Sequence, residues 1–392
     1  MTDVYIVAGC RTPIGNFGGS LKDVSPVDLG AVVIREAVRR AGLSPEAVDE
    51  VLLGCMLTGG HRQNVARQAS IRAGLPVSVV ATTVNMACGS GMKTVVEAAR
   101  AIRCQDADRV VAAGAESMSQ AAYVAGGVRW GARMGDARLV DTLLSDGLTD
   151  AFHGYHMGVT AENVADQFGI SREAMDELAL SSQRKAAEAI AAGAFADEIV
   201  PVTVRSRRED SVFDTDEYPR PSTAEGLAKL RPAFKTDGRV TAGNASGISD
   251  GASALVLASG QAVADRGLTP LAKLIGWGQA GVDPSIMGIG PVEAARRALA
   301  MAGLTVADLD YIEGNEAFAA QAVAVGQELG WDWGRVNVHG GAIALGHPVG
   351  ASGNRIVVTL LHAMAHDASA RYGLATLCIG GGMGIATVYE KC

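Results

Sequence analysis

An internal repeat limits the folds that this chain can adopt. Three pairs of similar segments follow one another in the same order: 25–54 with 290–314, 88–100 with 350–362, and 110–116 with 375–381. A single match between Ala-rich helices can arise by chance, but three matches in order at an offset near 260 residues cannot. The repeat therefore predicts two related halves that pack face to face.

Each half is predicted to be an α/β unit. Short apolar runs alternate with helical patterns along the chain, which is typical of parallel or mixed sheets covered by helices. The predicted strands are 4–9, 109–116, 253–260 and 374–381, and the clearest helices are 26–41 and 91–103. Strand ends and helix N-termini converge where two such halves meet, so we expect the active site there.

The middle of the chain breaks the repeat and contains an irregular tract from about 205 to 247. A long insertion without a regular pattern is usually functional. We therefore divide the chain into an N-terminal half (1–118, continued by 249–270), an inserted loop domain (119–248) and a C-terminal half (271–392).

Composition and charge narrow the class of protein. The formal net charge of −8 over 392 residues argues against nucleic acid or an anionic membrane surface as the main partner. No apolar run approaches the roughly 20 residues of a membrane span, and the first residues resemble neither a signal nor a transit peptide. The six cysteines include no CxxC pair, which favours free thiols. We expect a soluble cytoplasmic enzyme.

Cys88 lies in the unusual stretch NMACGSGMK, among residues with very small side chains. Apolar residues at helical spacing follow it, so the thiol is predicted at or just before a helix N-terminus, where main-chain N–H groups stabilise a thiolate. The neighbouring glycines would let a substrate approach. A small buried cysteine at a close helix crossing explains the same stretch, and both interpretations remain open from these residues alone.

His347 supplies a potential partner for that thiol. It lies in the Gly-rich tract HGGAIALGHPVGASGNR, before another helical pattern. A histidine held there can accept a thiol proton, although a lone histidine is more often structural. The repeat favours the catalytic interpretation, because 350–353 aligns with 88–91 and so places His347 and Cys88 near equivalent helix starts.

Cys378 and Asn315 each have two interpretations, one catalytic and one purely structural. Cys378 ends an apolar strand before IGGGMG, where consecutive N–H groups can form an oxyanion hole or simply a turn. Asn315 and Glu316 follow an apolar strand, and Asn315 is predicted either to cap the next helix or to orient a water or carbonyl. The remaining cysteines are predicted to be structural: Cys10, Cys55, Cys104 and Cys392.

Six segments together resemble the thiolase family, and the resemblance covers essentially the whole chain. They are NMACGSGMK (85–93), YHMGVTAENVA (155–165), TAGNASGISDGAS (241–253), GNEAFAAQ (314–321), GHPVGASG (346–353) and CIGGGMG (378–384). The resemblance implies an α/β thiolase fold, with two pseudo-symmetric halves stacked in a layered α-β-α-β-α core. It also implies that the inserted loop domain binds coenzyme A and makes oligomer contacts.

The resemblance implies a role for each matched position. Cys88 would be the acylated nucleophile, His347 its activating base, and Cys378 the acid/base at the substrate α-carbon. Asn315 would hold a water that, with His347, stabilises an enolate or thioester oxygen, and the N–H groups of Cys88 and Gly380 would form a second oxyanion hole. Six positions would contact coenzyme A, the last two near its nucleotide end: His156, Met157, Ser246, Met287, Arg220 and Phe234.

The implied reaction is reversible, coenzyme A-dependent cleavage of acetoacetyl-CoA, or condensation of two acetyl-CoA, with ping-pong kinetics. Coenzyme A would be a substrate, with no prosthetic group and no metal. A role in fatty acid metabolism and a homotetramer joined through 119–140 are further expectations. Gly314 and the pair Met86–Ala87 depart from the family pattern, which has other residues there.

The second thiol, Cys378, helps to distinguish between alternative functions. A broad-range degradative 3-ketoacyl-CoA thiolase would share all of these motifs, whereas a ketoacyl synthase would be expected to have His or Asn in place of Cys378. A cysteine thioester hydrolase could use Cys88 and His347, but would not need Cys378. Because all three residues are present, a catalytically inactive binding protein is also disfavoured.

Overall fold

The computed structural model describes residues 2–206 and 209–392. Met1 and residues 207–208, which fall in the predicted N-terminal half and insert, lie outside the described residues. The strands are β1 (Val4–Arg11), β2 (Gly15–Asn16), β3 (Glu50–Gly54), β4 (Val80–Val84), β5 (Arg109–Ser117), β6 (Tyr123–Val124), β7 (Val140–Asp141), β8 (Val202–Val204), β9 (Ser211–Phe213), β10 (Ser249–Ser259), β11 (Ala272–Gly281), β12 (Tyr311–Gly314), β13 (Tyr372–Ile379) and β14 (Met383–Lys391). The helices are α1 (Pro26–Arg40), α2 (Val65–Ala73), α3 (Ser90–Cys104), α4 (Met157–Gln167), α5 (Arg172–Ala191), α6 (Ala224–Ala228), α7 (Gly260–Arg266), α8 (Gly290–Ala302), α9 (Ala319–Leu329), α10 (Ala342–Leu345) and α11 (Val349–His366).

The strands and helices predicted from the sequence are all present. The predicted strands correspond to β1, β5, β10 and β13, and the two predicted helices to α1 and α3, with ends that differ by a few residues. Local sequence explains the start of α1, where the Ser25 hydroxyl accepts a hydrogen bond from the Asp28 N–H and Pro26 occupies the first turn. The division of the chain into halves and insert remains a prediction.

The main sheet consists of two half-sheets with matching strand order. The first runs β1-β10-β5-β3-β4 and the second β11-β14-β13-β12, and in both the two strands nearest the junction run antiparallel to their neighbours. Two residue pairs join the half-sheets, Tyr5 with Lys273 and Ile6 with Ala272. The counterpart of β4 in the second half is reduced to a single bridge between Ile312 and Val336.

The two half-sheets enclose a central pair of helices, α3 and α11. One hydrophobic cluster contains Val95 of α3, Val357 of α11, and Leu255 and Leu377 from the two half-sheets. The helix α11 is buried on almost every side, as expected for a helix between two sheets. Because α1 and α2 cover the outer face of the first half-sheet and α8 that of the second, the layers follow the predicted order α-β-α-β-α.

Four glycines allow the starts of α3 and α11 to approach the strand ends closely. A Cβ atom on Gly114 of β5 would lie 2.5 Å from the Gly350 carbonyl oxygen, and one on Gly54 of β3 would lie 2.6 Å from the Gly91 nitrogen. Both distances are far below any real Cβ contact with main-chain atoms. The glycines therefore fix how closely the two helix starts, and the residues just before them, come together.

We expect Gly114→Ala to lower the free energy of unfolding by about 1–3 kcal/mol, the usual cost of overpacking a buried site. The added methyl group meets main-chain atoms of α11, which cannot rotate away. Gly59→Ala is the matched control, because a Cβ there meets one methyl group at an ordinary 3.7 Å. Urea denaturation of both variants measures the difference, and equal stabilities would contradict the close approach.

Candidate active site

The Cys88 thiol lies in a tight turn directly before α3. Ala87 has a φ of 46°, which is uncommon for a residue other than glycine. The Ser90 hydroxyl stabilises the turn, since it accepts from the Met86 N–H at 2.8 Å and donates to the Ala87 carbonyl at 2.6 Å. The structure therefore confirms the predicted helix start and presents Cys88 at its N-terminus.

The surroundings of the Cys88 sulfur act on its pKa in opposite directions. Burial raises the pKa of the thiol, and the negative charge of Glu116 raises it further. The N–H groups of Gly380 and of Cys88 itself hydrogen-bond to the sulfur and lower the pKa. The two N–H groups predicted to form an oxyanion hole thus converge on the nucleophile, and in the resting protein the thiol keeps its proton.

His347 lies just before α11 with its ring held in a defined orientation. Its Nδ1 lies 2.5 Å from the Ser352 hydroxyl oxygen, which in turn donates to the Pro348 carbonyl at 2.9 Å. Because that hydroxyl has one proton, Nδ1 carries the hydrogen of the ring and Nε2 is the unprotonated acceptor. Nε2 is buried and has no hydrogen-bond partner among the described residues.

Burial lowers the pKa of His347 to about 3, and the charge of Arg355 contributes in the same direction. The imidazole is therefore neutral in the resting protein at physiological pH, as a general base must be. In the unfolded chain the ordinary pKa is near 6.5. Between about pH 3 and pH 6.5, His347 consequently binds more protons in the unfolded state than in the folded state.

We expect His347 to make the protein less stable as the pH falls below 6.5. Since the folded pKa is the lower one, stability is lost at roughly 1.4 kcal/mol per pH unit. At pH 4.5 this single group costs roughly 2–3 kcal/mol relative to neutral pH. Urea denaturation at pH 7 and 4.5 should therefore show a smaller acid loss for His347→Gln than for the natural protein. Equal losses would contradict a buried, neutral imidazole.

Cys378 lies at the end of β13, next to the first thiol. Its side chain is fully buried. Burial raises its pKa, and the electrostatic effect of Cys88 raises it further, so the first thiol is near enough to act on it. Two residues later the chain reaches Gly380, whose N–H binds the Cys88 sulfur. The end of β13 thus carries a second, protonated thiol near the nucleophile.

Asn315 follows β12 and does not cap a helix, so that part of the prediction is wrong. The helix α9 begins four residues later, with Phe318 at its N-cap. The main chain of Asn315 pairs with Thr376 of β13 at 3.0 Å. Both polar atoms of its side chain are buried without a hydrogen-bond partner in the described part of the chain. An amide left in this state is costly and is free to bind a ligand or water.

The residue before it, Gly314, departs from the expected pattern for a packing reason. A Cβ at this position would lie 2.6 Å from the ring of Trp331. The indole therefore occupies the space that a larger residue would need.

A cavity of about 700 Å³ is lined in part by Cys88 and His347. It is lined mainly by apolar side chains and includes eight predicted site residues: Cys88, His347, Gly380, His156, Met157, Phe234, Ser246 and Met287. Three predicted residues lie outside its lining: Cys378, Asn315 and Arg220. A largely apolar cavity of this size with a few polar groups suits a long ligand.

His156 and Phe234 form a stacked pair in the wall of the cavity. Their ring centroids are 4.6 Å apart with an interplanar angle of 19°. His156 Nδ1 accepts from the Gly158 N–H at 3.0 Å and caps α4, so the proton is on Nε2, which is a donor. A Cβ on Gly158 would overlap the Phe234 ring. The glycine in YHMG is therefore required for the stack.

Arg220 lies beside the cavity rather than in its lining. Its guanidinium is 4.8 Å from the centroid of the Tyr218 ring and donates to the Ala242 carbonyl at 3.4 Å. Tyr218 and Ala242 both line the cavity. Arg220 thus provides a positive charge next to the wall, but the structure does not bring it to the catalytic end.

Comparisons with known proteins match this chain along almost its full length. Residues 4–261 match the thiolase N-terminal domain and residues 268–391 the thiolase C-terminal domain. The chain belongs to the thiolase family. The predicted family and fold class are thereby confirmed, as is the prediction of an acyltransferase.

Individual thiolases are similar over whole chains. Acetyl-CoA acetyltransferases of Pseudomonas aeruginosa and Escherichia coli are 57% and 56% identical to this chain, and each alignment covers all of both proteins. The solved acetyl-CoA acetyltransferase of Bacillus anthracis is 46% identical, with a TM-score of 0.98 over 100% of this chain and 99% of that one. Human mitochondrial 3-ketoacyl-CoA thiolase in complex with CoA is 44% identical, with a TM-score of 0.96 over 100% and 98% of the two chains.

Sequence reasoning missed several residues of this thiolase site. The repeat offered a signal for Ser352, because it aligns with Ser90, and both hydroxyls donate to a carbonyl at the start of their helix. Tyr218 and Phe318 also line the cavity. Phe318 lies within GNEAFAAQ and could have been found there, whereas Tyr218 lies in the irregular tract, which has no pattern that predicts position.

No helix within residues 2–206 or 209–392 of this thiolase combines the length and the apolar character that crossing a membrane requires.

Proposed function

We propose that this thiolase cleaves acetoacetyl-CoA with coenzyme A to give two acetyl-CoA, and catalyses the reverse condensation. The observation that carries the proposal is that Cys88 and the neutral imidazole of His347 line one cavity, while the buried Cys378 thiol, outside that lining, is near enough to Cys88 for Cys88 to raise its pKa. A reversible C–C cleavage needs a nucleophile for the acyl fragment and a proton donor for the departing carbon. Cys88 and Cys378 supply these two groups separately.

The reaction begins at Cys88. Nε2 of His347 accepts the thiol proton, and the sulfur attacks the 3-keto carbon of acetoacetyl-CoA, forming a C–S bond. Negative charge moves to the keto oxygen, which needs hydrogen-bond donors. The N–H groups of Cys88 and Gly380, which converge at the sulfur, are placed to supply them. These steps together activate the Cys88 thiol, which is a weak nucleophile while protonated, and they need no metal ion.

The C–C bond then breaks, leaving an acetyl group on Cys88. The bonding electron pair stays with the departing fragment as the enolate of acetyl-CoA. We propose that Cys378 gives its proton to the α-carbon; its burial and the electrostatic effect of Cys88 on its pKa support this role. Asn315, with its unpaired amide, is proposed to hold the water that stabilises the enolate oxygen together with His347.

The second half-reaction transfers the acetyl group. A new coenzyme A loses its thiol proton to Cys378, which is a thiolate after the first half-reaction, and its sulfur attacks the acetyl carbonyl. The Cys88 sulfur leaves as a thiol after it recovers its proton from His347. The cycle restores the starting protonation states, so ping-pong kinetics follow from the geometry.

Coenzyme A is proposed to lie along the cavity as a substrate. Four residues of the cavity lining would contact the pantetheine arm: His156, Met157, Ser246 and Met287. Phe234 and Arg220 would face the nucleotide end. The positive charge of Arg220 suits phosphate groups, and the mechanism above requires no prosthetic group.

The test is coenzyme A-dependent thiolysis of acetoacetyl-CoA and 3-oxo-octanoyl-CoA, with Cys88→Ala as the control. Activity restricted to acetoacetyl-CoA supports the proposed short-chain reaction. Comparable rates on both substrates would favour the second candidate, a broad-range 3-ketoacyl-CoA thiolase, which the similarity to the human enzyme suggests. Full activity of Cys88→Ala would contradict the mechanism. Hydrolysis of thioesters without transfer to coenzyme A would indicate a cysteine hydrolase.

We also propose a homotetramer assembled through 119–140, in the cytoplasm, with a role in fatty acid metabolism. This segment contains the hairpin β6–β7 and several exposed apolar side chains, of which Trp130 is 86% and Met134 97% exposed. Apolar groups at this exposure usually mark an interaction surface.

The double variant Trp130→Ser/Met134→Ser is expected to form a smaller assembly than the natural protein, measured by light scattering after gel filtration. Val212→Ser is the control, because Val212 is also exposed but lies outside the hairpin. An unchanged mass for the double variant would argue against this contact.

A further inference from the structure

Glu116 is a buried carboxylate at the end of β5, inside the wall of the catalytic site. Its side chain is fully buried. Its two oxygens accept hydrogen bonds from three main-chain N–H groups, those of Met56 at 2.9 Å, Leu57 at 3.1 Å and Gly350 at 2.9 Å. The Cys55 thiol donates to the same group at 3.5 Å. Four donors from two remote segments thus converge on one side chain.

The carboxylate replaces a missing helix cap. Pro348 occupies the N-cap of α11 and has no side-chain acceptor, so the first N–H groups of the helix need another partner. Glu116 provides it from the other half of the molecule, where its charge also suits the positive end of the helix dipole. A Cβ on Gly350 would lie 2.6 Å from the carboxylate oxygen. The glycine is therefore needed for this contact.

Both segments held by Glu116 also form the catalytic cavity. Gly350 lies three residues after His347, on the helix whose start carries that histidine. Met56 lines the same cavity. It is far from Gly350 in sequence and belongs to the predicted N-terminal half. We propose that Glu116 is a positioning residue that clamps the start of α11 to the N-terminal half and thereby sets the separation of His347 and Cys88. This inference rests on the proposed thiolase reaction.

The charge of Glu116 allows an electrostatic effect on Cys88 to be distinguished from a geometric effect on turnover. Burial raises the pKa of Glu116 to about 7, so the group is mostly ionised above that pH, where its negative charge raises the pKa of the Cys88 thiol. Under those conditions, removing the charge alone would make the nucleophile more acidic and easier to activate. A loss of turnover on removing the charge therefore has to come from geometry.

Glu116→Gln is the direct test, because glutamine has the same shape but only one acceptor oxygen. Its NH2 group would face N–H donors and break the clamp. We expect kcat for acetoacetyl-CoA thiolysis to fall at least tenfold, with KM changed less than fivefold, since Glu116 does not line the cavity. Glu97→Gln, at partly exposed ion pairs on α3, is the matched control and should keep the natural kcat.

A smaller fall in kcat, or a larger change in KM, would overturn the proposal. Glu116→Asp provides a second test that keeps the charge but shortens the reach, and the same tenfold criterion applies if the glutamine variant does not fold. Failure of both variants to fold would assign Glu116 to stability and also overturn the proposal. If the natural protein itself is inactive, the proposed thiolase function fails instead, so the two failures are distinguishable.

Discussion

Cys378→Ala is expected to abolish C–C bond cleavage while the protein still exchanges coenzyme A with acetyl-CoA. Thiolysis should fall roughly 10³-fold, within the range that general acid–base groups contribute. Acetyl exchange needs only the transfer of an acetyl group to and from Cys88. In this exchange no carbon atom is protonated, so Cys378 does not become the thiolate that accepts the coenzyme A proton in thiolysis. His347 can instead move the proton between the Cys88 sulfur and the coenzyme A sulfur. The variant thus separates the two tasks that the proposed mechanism assigns to the two thiols.

The measurement compares two assays on the same preparation. One follows loss of acetoacetyl-CoA, and the other follows exchange of labelled coenzyme A into acetyl-CoA, which should stay within tenfold of the natural rate. Cys10→Ala is the matched control, because Cys10 is also a fully buried thiol but bonds to the Val33 carbonyl in the outer layer. Equal losses in both assays would show that Cys378 shapes the site rather than moving a proton at carbon.

The repeat predicted the part of the site that depends on symmetry. Because 88–91 aligns with 350–353, the starts of α3 and α11 occupy related places in the two halves, and the residues before them share one cavity. The position of Cys378 at a strand end followed equally from local pattern. Such predictions succeed because helix starts and strand ends are set by short stretches of sequence.

Contacts between remote segments could not be predicted in this way. The bonds of Glu116 go to main-chain N–H groups, and those are present in every residue, so no residue type marks them. Asn315 was open to a capping role because polar residues after strands often cap helices, yet α9 starts only after Phe318. The junction between β1 and β11 rests on two residue pairs, too few to leave a pattern.

Ser352→Ala is expected to lower kcat roughly 100-fold. The Ser352 hydroxyl accepts the Nδ1 hydrogen of His347 at 2.5 Å. Without this acceptor the buried N–H is left unpaired, at a cost of about 1–3 kcal/mol. The ring then favours the other tautomer, in which Nε2 carries the hydrogen and can no longer accept the Cys88 proton that the proposed mechanism gives it. Each 1.4 kcal/mol corresponds to roughly tenfold in rate.

Ser253→Ala is the matched control for this loss, since Ser253 of β10 is equally buried and donates to the Ala351 carbonyl at 3.0 Å without touching the imidazole. Its kcat should stay within threefold of the natural value. Ser352→Thr, which restores a hydroxyl, should recover part of the lost turnover. If Ser352→Ala raised KM and left kcat unchanged, the hydroxyl would serve substrate binding and not the orientation of His347. If instead both alanine variants lost turnover equally, the loss would come from loosening of α11, because the only feature they share is a hydrogen bond to its first turn.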